Sequence, residues 1–151
     1  MKLHFNLMYL ISLFLIGCST YSEGDKLMFD EAIKEYIKAK NLNMEKLESG
    51  MYYSIIEEGR GRNILLKDKV TFHYKGSFLN DEVFQVIPKN DPLTFYVREL
   101  IVGWQDGLTL LKNNGKIKLI IPPHLAYGDQ NTDLVPPNSI LVYTIEVLDV
   151  K

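Results

Sequence analysis

The sequence predicts an α+β domain: short strands with a single central helix among them. Three observations carry that expectation. Val70 to Phe78 alternates, with Val70, Phe72 and Tyr74 on one side and Thr71, His73 and Lys75 on the other, which is the mark of a half-buried strand. Ser139 to Val150 is a long final strand. Between them, Ile101, Trp104, Leu108 and Leu111 fall at three- and four-residue steps, and Asn114-Gly115 supplies the stop of that one helix.

The remaining elements follow in chain order. Lys26 to Lys40 places Met28, Phe29, Ala32, Ile33, Tyr36 and Ile37 at helical spacing among charges, so it is an amphipathic helix. Asp25 is its expected cap, and Asn41 to Asn43 its end. Its apolar stripe must be covered, by its own domain or by a partner's helix in a dimer; one helix of about four turns is short for a dimerisation arm, which favours its own domain. The domain proper is expected from Ser49 to Lys151, after a connector that ends at residue 48. A first strand runs through Met51-Tyr52-Tyr53 towards Gly59-Arg60-Gly61. Leu93 to Val97 is rich in aromatic and β-branched residues, and Lys116 to Ile121 alternates basic and apolar ones, so both are strands.

Ahead of the domain, Leu3 to Ile16 is an apolar run broken by His4, Asn6 and Ser12 and preceded by Lys2. It is shorter than the ~20 residues of a spanning helix and reads as a signal-peptide core. It closes on Leu15-Ile16-Gly17-Cys18, which looks like a bacterial lipobox. Residues 1–17 would then be the leader, Cys18 the lipidated residue and residues 18–25 a small, polar tether. An ordinary secretory leader and an uncleaved anchor are the other readings. Cys18 is the only cysteine, so no disulfide can form within the chain. Ser19 after it points mildly to the outer membrane, where there is one.

Lys and Arg total 17 against 19 Asp and Glu. That balance gives no electrostatic footprint for nucleic acid, and no polybasic cluster binds anionic lipid, so membrane attachment would rest on acyl chains. The three histidines, His4, His73 and His124, match no zinc spacing. Neither a nucleophile elbow nor a glycine-rich phosphate loop is present. The sequence therefore calls for no metal and no cofactor. What remains is chemistry done by shape and solvation.

Three words then narrow the reading: Val102-Gly103-Trp104, Leu125-Ala126-Tyr127-Gly128 and Val135-Pro136-Pro137-Asn138. In this order and spacing, from about Ser49 to Val150, the chain resembles the prolyl isomerases of the FK506-binding family. The resemblance implies a bent antiparallel sheet wrapped over one helix, and proline-containing polypeptides as substrates. It also implies an aromatic cup: Trp104 as its floor, Tyr74 and Phe84 as walls, Tyr127 offering its hydroxyl to the substrate carbonyl, and the Ile101 N–H as a second donor. Leu134 and Val135 would form a lip for the residue before proline. Leu93, Leu100 and Tyr143 would complete the apolar lining, with Leu93 and Tyr143 in places usually held by an aromatic residue and by phenylalanine. Each of these residues also has a plain structural reading, since buried helix faces and strands favour aromatics whether or not a site exists.

One departure bears on activity. Active members usually carry an acid straight after the residue equivalent to Phe84, and this chain has Gln85. An amide accepts through its oxygen but is neutral, so a charge-assisted bond becomes an ordinary one. The Phe84–Pro92 segment is also about one residue shorter than the family's pattern, and the stretch between Val97 and Glu99 about two. The resemblance thus leaves two classes of function: an envelope isomerase for exported proteins, of full or weak activity, and a non-catalytic binding or chaperone lipoprotein on the same scaffold. Lipoproteins of this shape also accompany gliding-motility and secretion machinery in some bacterial groups.

Overall fold

The structure, a computed structural model, describes residues 21–151. The leader and Cys18 lie outside the described residues. Among those described, helix α1 (Glu23–Ala39) is followed by strands β1 (Glu45–Lys46), β2 (Tyr52–Glu57), β3 (Arg60–Asn63), β4 (Lys69–Phe78), β5 (Val83–Ile87) and β6 (Leu93–Tyr96). Helix α2 (Val102–Leu108) comes next, then β7 (Lys112–Asn113), β8 (Lys116–Ile121) and β9 (Leu141–Val150). The main sheet is antiparallel in the order β1-β2-β8-β9-β4-β5, with β6 on β4 beside β5; β3 and β7 make a separate pair. This is an α+β architecture with a bent antiparallel sheet, as the sequence predicts.

The two-residue period of the strands sorts the core into two layers. On one face, the cross-strand rows Ile117–Ile145, Leu119–Tyr143 and Ile121–Leu141 bring apolar side chains under α2, where they join Phe72, Trp104 and Leu108. On the other face a single row, Tyr52–Ile120–Val142, is covered by Ile33 of α1. The stripe of α1 is therefore buried against its own sheet, and no partner helix is needed to cover it. Met28, expected in the stripe, is exposed instead.

Several boundaries differ from the expectation for physical reasons. The N-cap of α1 is Ser22, not Asp25: the Ser22 hydroxyl accepts from the Asp25 N–H, and the Asp25 carboxylate accepts from the Ser22 N–H at 2.8 Å, a capping box. Residues 23–25 are thus the first turn of the helix and not tether. Tyr21 is docked as well; its ring stands edge-on to Phe29 at 5.4 Å and its hydroxyl donates to Asn138 Oδ1 at 2.6 Å. The expected first strand is broken at Gly59, whose φ of +86° turns the chain from the main sheet to the small one. Helix α2 stops at Leu108, where the Thr109 hydroxyl donates to the Asp106 carbonyl, and Leu111 reaches the same core from the turn beyond. Both cores and all described strands lie within 21–151.

A half-buried carboxylate ties α1 to the sheet. Asp30 accepts from the Tyr52 hydroxyl at 2.8 Å and pairs with Lys34 and Lys46 at 2.8 and 2.6 Å. Burial alone would raise its pKa, but these partners outweigh it and hold the carboxyl at about 2. A depressed carboxylate stabilises the fold fully above its unfolded pKa and loses that contribution as pH falls through the folded value. Acid titration should therefore weaken the fold between about pH 4 and pH 2 by on the order of 1 kcal/mol from this group, after allowance for solvent screening. In denaturant melts, Asp30→Asn should flatten that acid limb; an unchanged limb would place the acid sensitivity elsewhere.

Candidate functional site

The site grows from the middle of β4, the start of β9 and the first turn of α2. Trp104 is 4% exposed and is packed edge-on by Tyr74 (centroids 4.9 Å apart), Tyr143 (5.1 Å) and Phe72 (5.1 Å). Such T-shaped arrangements set the positive edge of one ring against the negative face of another. They are possible here because Gly76 and Gly103 let chain segments close up. A Cβ on Gly76 would sit 2.6 Å from Phe84 Cζ and 2.9 Å from Tyr143 Cε1, and one on Gly103 would meet Ile121 at 2.5 Å. The indole Nε1 of Trp104 is buried without a hydrogen-bond partner among the described residues.

Above the indole opens a cavity of about 370 Å3. Of the predicted site residues it gathers Tyr74, Leu93, Leu100, Ile101, Trp104, Tyr127 and Tyr143. Phe84, Gln85, Leu134 and Val135 line a neighbouring cavity of about 300 Å3, and Tyr127 belongs to both. The single cup expected from the sequence is thus two compartments sharing one tyrosine. Phe84 stands behind Tyr143, edge-on at 5.7 Å, and walls the second compartment, not the first. Phe72, Phe95 and Glu99 line the first compartment and were not expected there. The inward face of β4 already contained Phe72, and pairing of β6 with β4 sets Phe95 opposite Val70 and Leu93 opposite Phe72.

Local hydrogen bonds explain the placement of each rim residue. Ile101 is the N-cap of α2: its carbonyl accepts from Trp104 N and Gln105 N, while its own N–H, as at any helix start, has no intrahelical acceptor. The Gln105 amide braces that corner by donating to the Leu100 carbonyl at 2.7 Å. Tyr127 follows a 3-10 turn, Pro123–Leu125, that Gly128 closes by donating to the Pro123 carbonyl with φ +62°. Tyr127 stands 37% exposed at the mouth. The Thr132 hydroxyl accepts from Val135 N at 2.8 Å, folding a turn that buries Val135 (3% exposed) in the core and leaves Leu134 (49%) outside. Of the expected two-residue lip, only Leu134 protrudes.

The interior carries hydroxyls and an amide but no ion. Tyr74 donates to Gln85 Oε1 at 2.5 Å, so the amide does accept the bond that the sequence suggested an acid would take. Burial, and then the neighbouring Tyr127, push the Tyr74 phenol up to about 12. Burial also raises Tyr143, reinforced by Tyr127 and Tyr74 and by a hydrogen bond with Tyr127. Both phenols therefore stay protonated, as donors, at physiological pH. Glu99, whose carboxylate accepts from Tyr96 N at 3.2 Å, is the one acid on the rim of the first compartment. Among the described residues, no group of His, Cys, Asp and Glu could hold a metal.

A bent antiparallel sheet holding an aromatic-floored pocket between β4, β9 and the first turn of α2 defines the class. The chain belongs to the FKBP-type peptidyl-prolyl cis-trans isomerase family, whose model matches residues 61–148. It is 40% identical over 137 residues to the FKBP-type peptidyl-prolyl cis-trans isomerase FkpA of Buchnera aphidicola subsp. Schizaphis graminum, covering 83% of this chain and 54% of that one. The FkpA of Escherichia coli is 40% identical over 121 residues, 78% of this chain and 45% of that one. The crystal structure of FkpA from Escherichia coli superposes with a TM-score of 0.73 at 36% identity, over 85% of this chain and 62% of that one. The chain spans about half the length of these curated relatives.

Gly76 is the position at which packing can be tested without touching a polar group. Gly76→Ala should force Phe84 and Tyr143 apart, costing about 1 to 3 kcal/mol in a denaturant melt and changing the emission of Trp104, the only tryptophan. A variant with the melt and spectrum of the parent would show that the two rings yield freely.

Proposed function

We propose that the protein is a peptidyl-prolyl cis-trans isomerase that assists exported polypeptides in the cell envelope. The observation that carries the reading is the aromatic compartment above Trp104, whose inner polar groups are neutral phenols and whose one acid, Glu99, stands at the rim. Rotation about an X-Pro bond is slow because it breaks amide resonance, a barrier of about 18 to 20 kcal/mol. In the twisted state the C–N bond is nearly single and little charge separation is left for water to solvate. An apolar enclosure therefore favours the twisted state over the planar one, with no acid or base, and each 1.36 kcal/mol of preference is about tenfold in rate.

In this reading the proline ring rests on Trp104 between Tyr74 and Tyr143, against Leu93 and Leu100. The Tyr127 hydroxyl and the Ile101 N–H reach the carbonyl, and Leu134 holds the preceding residue over Phe84 and Gln85. The bond from Tyr74 to Gln85 supports catalysis over a purely binding role, because the amide fixes the wall that the usual acid would fix. The gap between a neutral and a charge-assisted bond is about 1 kcal/mol, so this pocket works at a lower rate and does not fail.

The rate test uses a prolyl tetrapeptide with an apolar residue before proline and the chain starting at Tyr21. Acceleration that FK506 abolishes is expected, with Gln85→Asp raising it up to about tenfold. A parent that is inert beside an active Gln85→Asp would make the protein a binding module; two inert proteins would remove the isomerase reading altogether. Tyr127→Phe, which deletes one donor and no volume, should lower the rate several-fold and leave the melt unchanged; an equal rate would exclude Tyr127 from the mechanism.

Envelope placement rests on the apolar leader ending in Leu15-Ile16-Gly17-Cys18. We assign diacylglycerol to Cys18 and, through Ser19, the outer membrane where one exists. Cys18→Ser should leave the precursor uncut or release the protein from membranes; a parent that takes up no radioactive fatty acid would defeat the assignment.

A further inference from the structure

A third cavity, of about 530 Å3, adjoins the two compartments. Its floor includes Phe78, Pro136 and Ile140, and its wall holds Glu82. Leu134 lines both this cavity and the Phe84–Gln85 compartment, as Tyr127 lines both that compartment and the one above Trp104. The three openings thus adjoin in a row, a trough whose sections meet at Tyr127 and at Leu134. Its lining is mixed, with Phe78, Leu79, Pro136 and Ile140 apolar beside Asn80, Asn138 and Ser139, and two sections carry a carboxylate: Asp133 in the middle one and Glu82 in the last. Neither takes part in an ion pair among the described residues; nearby Asp81 is already held by Lys40.

We propose that this trough binds the substrate polypeptide N-terminal to its X-Pro bond, and prefers an apolar residue followed outward by lysine or arginine. The inference rests on the isomerase reading for the direction of the chain: with the residue before proline at Leu134, the residues ahead of it must leave past Leu134 into the third cavity. An extended strand advances about 3.3 Å per residue, so a few residues span it. An apolar side chain fits between Phe78 and Ile140, and a cation then meets two carboxylates that hold no ion pair among the described residues, Glu82 accepting only a 3.4 Å bond from the Asn80 amide.

The test compares a prolyl tetrapeptide with two octapeptides that extend it N-terminally, one carrying leucine and lysine, the other leucine and glutamate. Dissociation constants are read by calorimetry and by Trp104 emission, so no turnover is required. The lysine octapeptide should bind about tenfold tighter than the tetrapeptide, the worth of one buried apolar side chain. It should also beat the glutamate octapeptide several-fold, a margin that salt erodes. Glu82→Lys, at an exposed position outside the pocket, should leave tetrapeptide binding unchanged and reverse the preference. Equal affinity for all three peptides, or a preference that Glu82→Lys does not move, overturns the proposal. Tetrapeptide turnover without any gain on extension would keep the isomerase and discard the trough. Glu82-dependent binding without turnover would do the reverse.

Discussion

The contact on which the molecule depends is the edge-on packing of Tyr74, Tyr143 and Phe72 around the buried indole of Trp104. The same rings close the core beneath α2 and floor the cavity above it. Folding and the site are thus one hydrophobic event, and a change at Trp104 cannot separate them: truncating a buried aromatic costs about 3 to 5 kcal/mol. The rim is different. Tyr127 and Leu134 are exposed, held by local turns, and can change with little consequence for the core.

Charge is kept out of this cluster with some consistency. Gln85 stands where relatives are expected to carry an acid, Tyr143 adds a phenol that burial keeps neutral, and the nearest acid, Glu99, is engaged by a backbone N–H at the rim. A chemistry that lowers a barrier by withholding water needs this, because an ion in the pocket would draw solvent in or would itself need a partner. The proposed cost of losing the carboxylate is small for the same reason: the hydrogen bond survives, and only its charge is gone.

Much of this was legible in the sequence wherever one periodicity acted alone. The alternation in β4 and β8 and the spacing of Ile101, Trp104 and Leu108 each reflect one buried face, and the structure shows those elements. Strand β5 was not legible, since Val83-Phe84-Gln85-Val86-Ile87 is a short edge segment with no clean alternation and its pairing is interrupted by a bulge at Gly76–Ser77. The division of the site into two compartments was also hidden. It arises from Val135 turning inward on the Thr132 hydroxyl, a tertiary choice that the apolar pair Leu134-Val135 does not announce. Ser22 was missed as a cap because Asp25, three residues on, carries the other half of the same capping box.

That last correction changes how the domain would sit on a membrane. A tether of eight residues would let it roam, but the structure docks Tyr21 on Asn138 and begins the helix at Glu23. With the proposed lipid on Cys18, only Ser19 and Thr20 separate the anchor from the docked tyrosine, three Cα steps and a reach of at most about 11 Å. Asn138 also donates its backbone N–H to the Gly128 carbonyl, next to Tyr127, and lines the third cavity. The docked Tyr21 and the candidate site therefore share one loop, from Gly128 to Asn138. A lipid-anchored domain of this kind would present its trough close to the bilayer surface, where polypeptides still unfolded after export first become available. On that proposal soluble, compact proteins would reach it less readily, because so short an anchor would hold the open end of the trough beside the membrane.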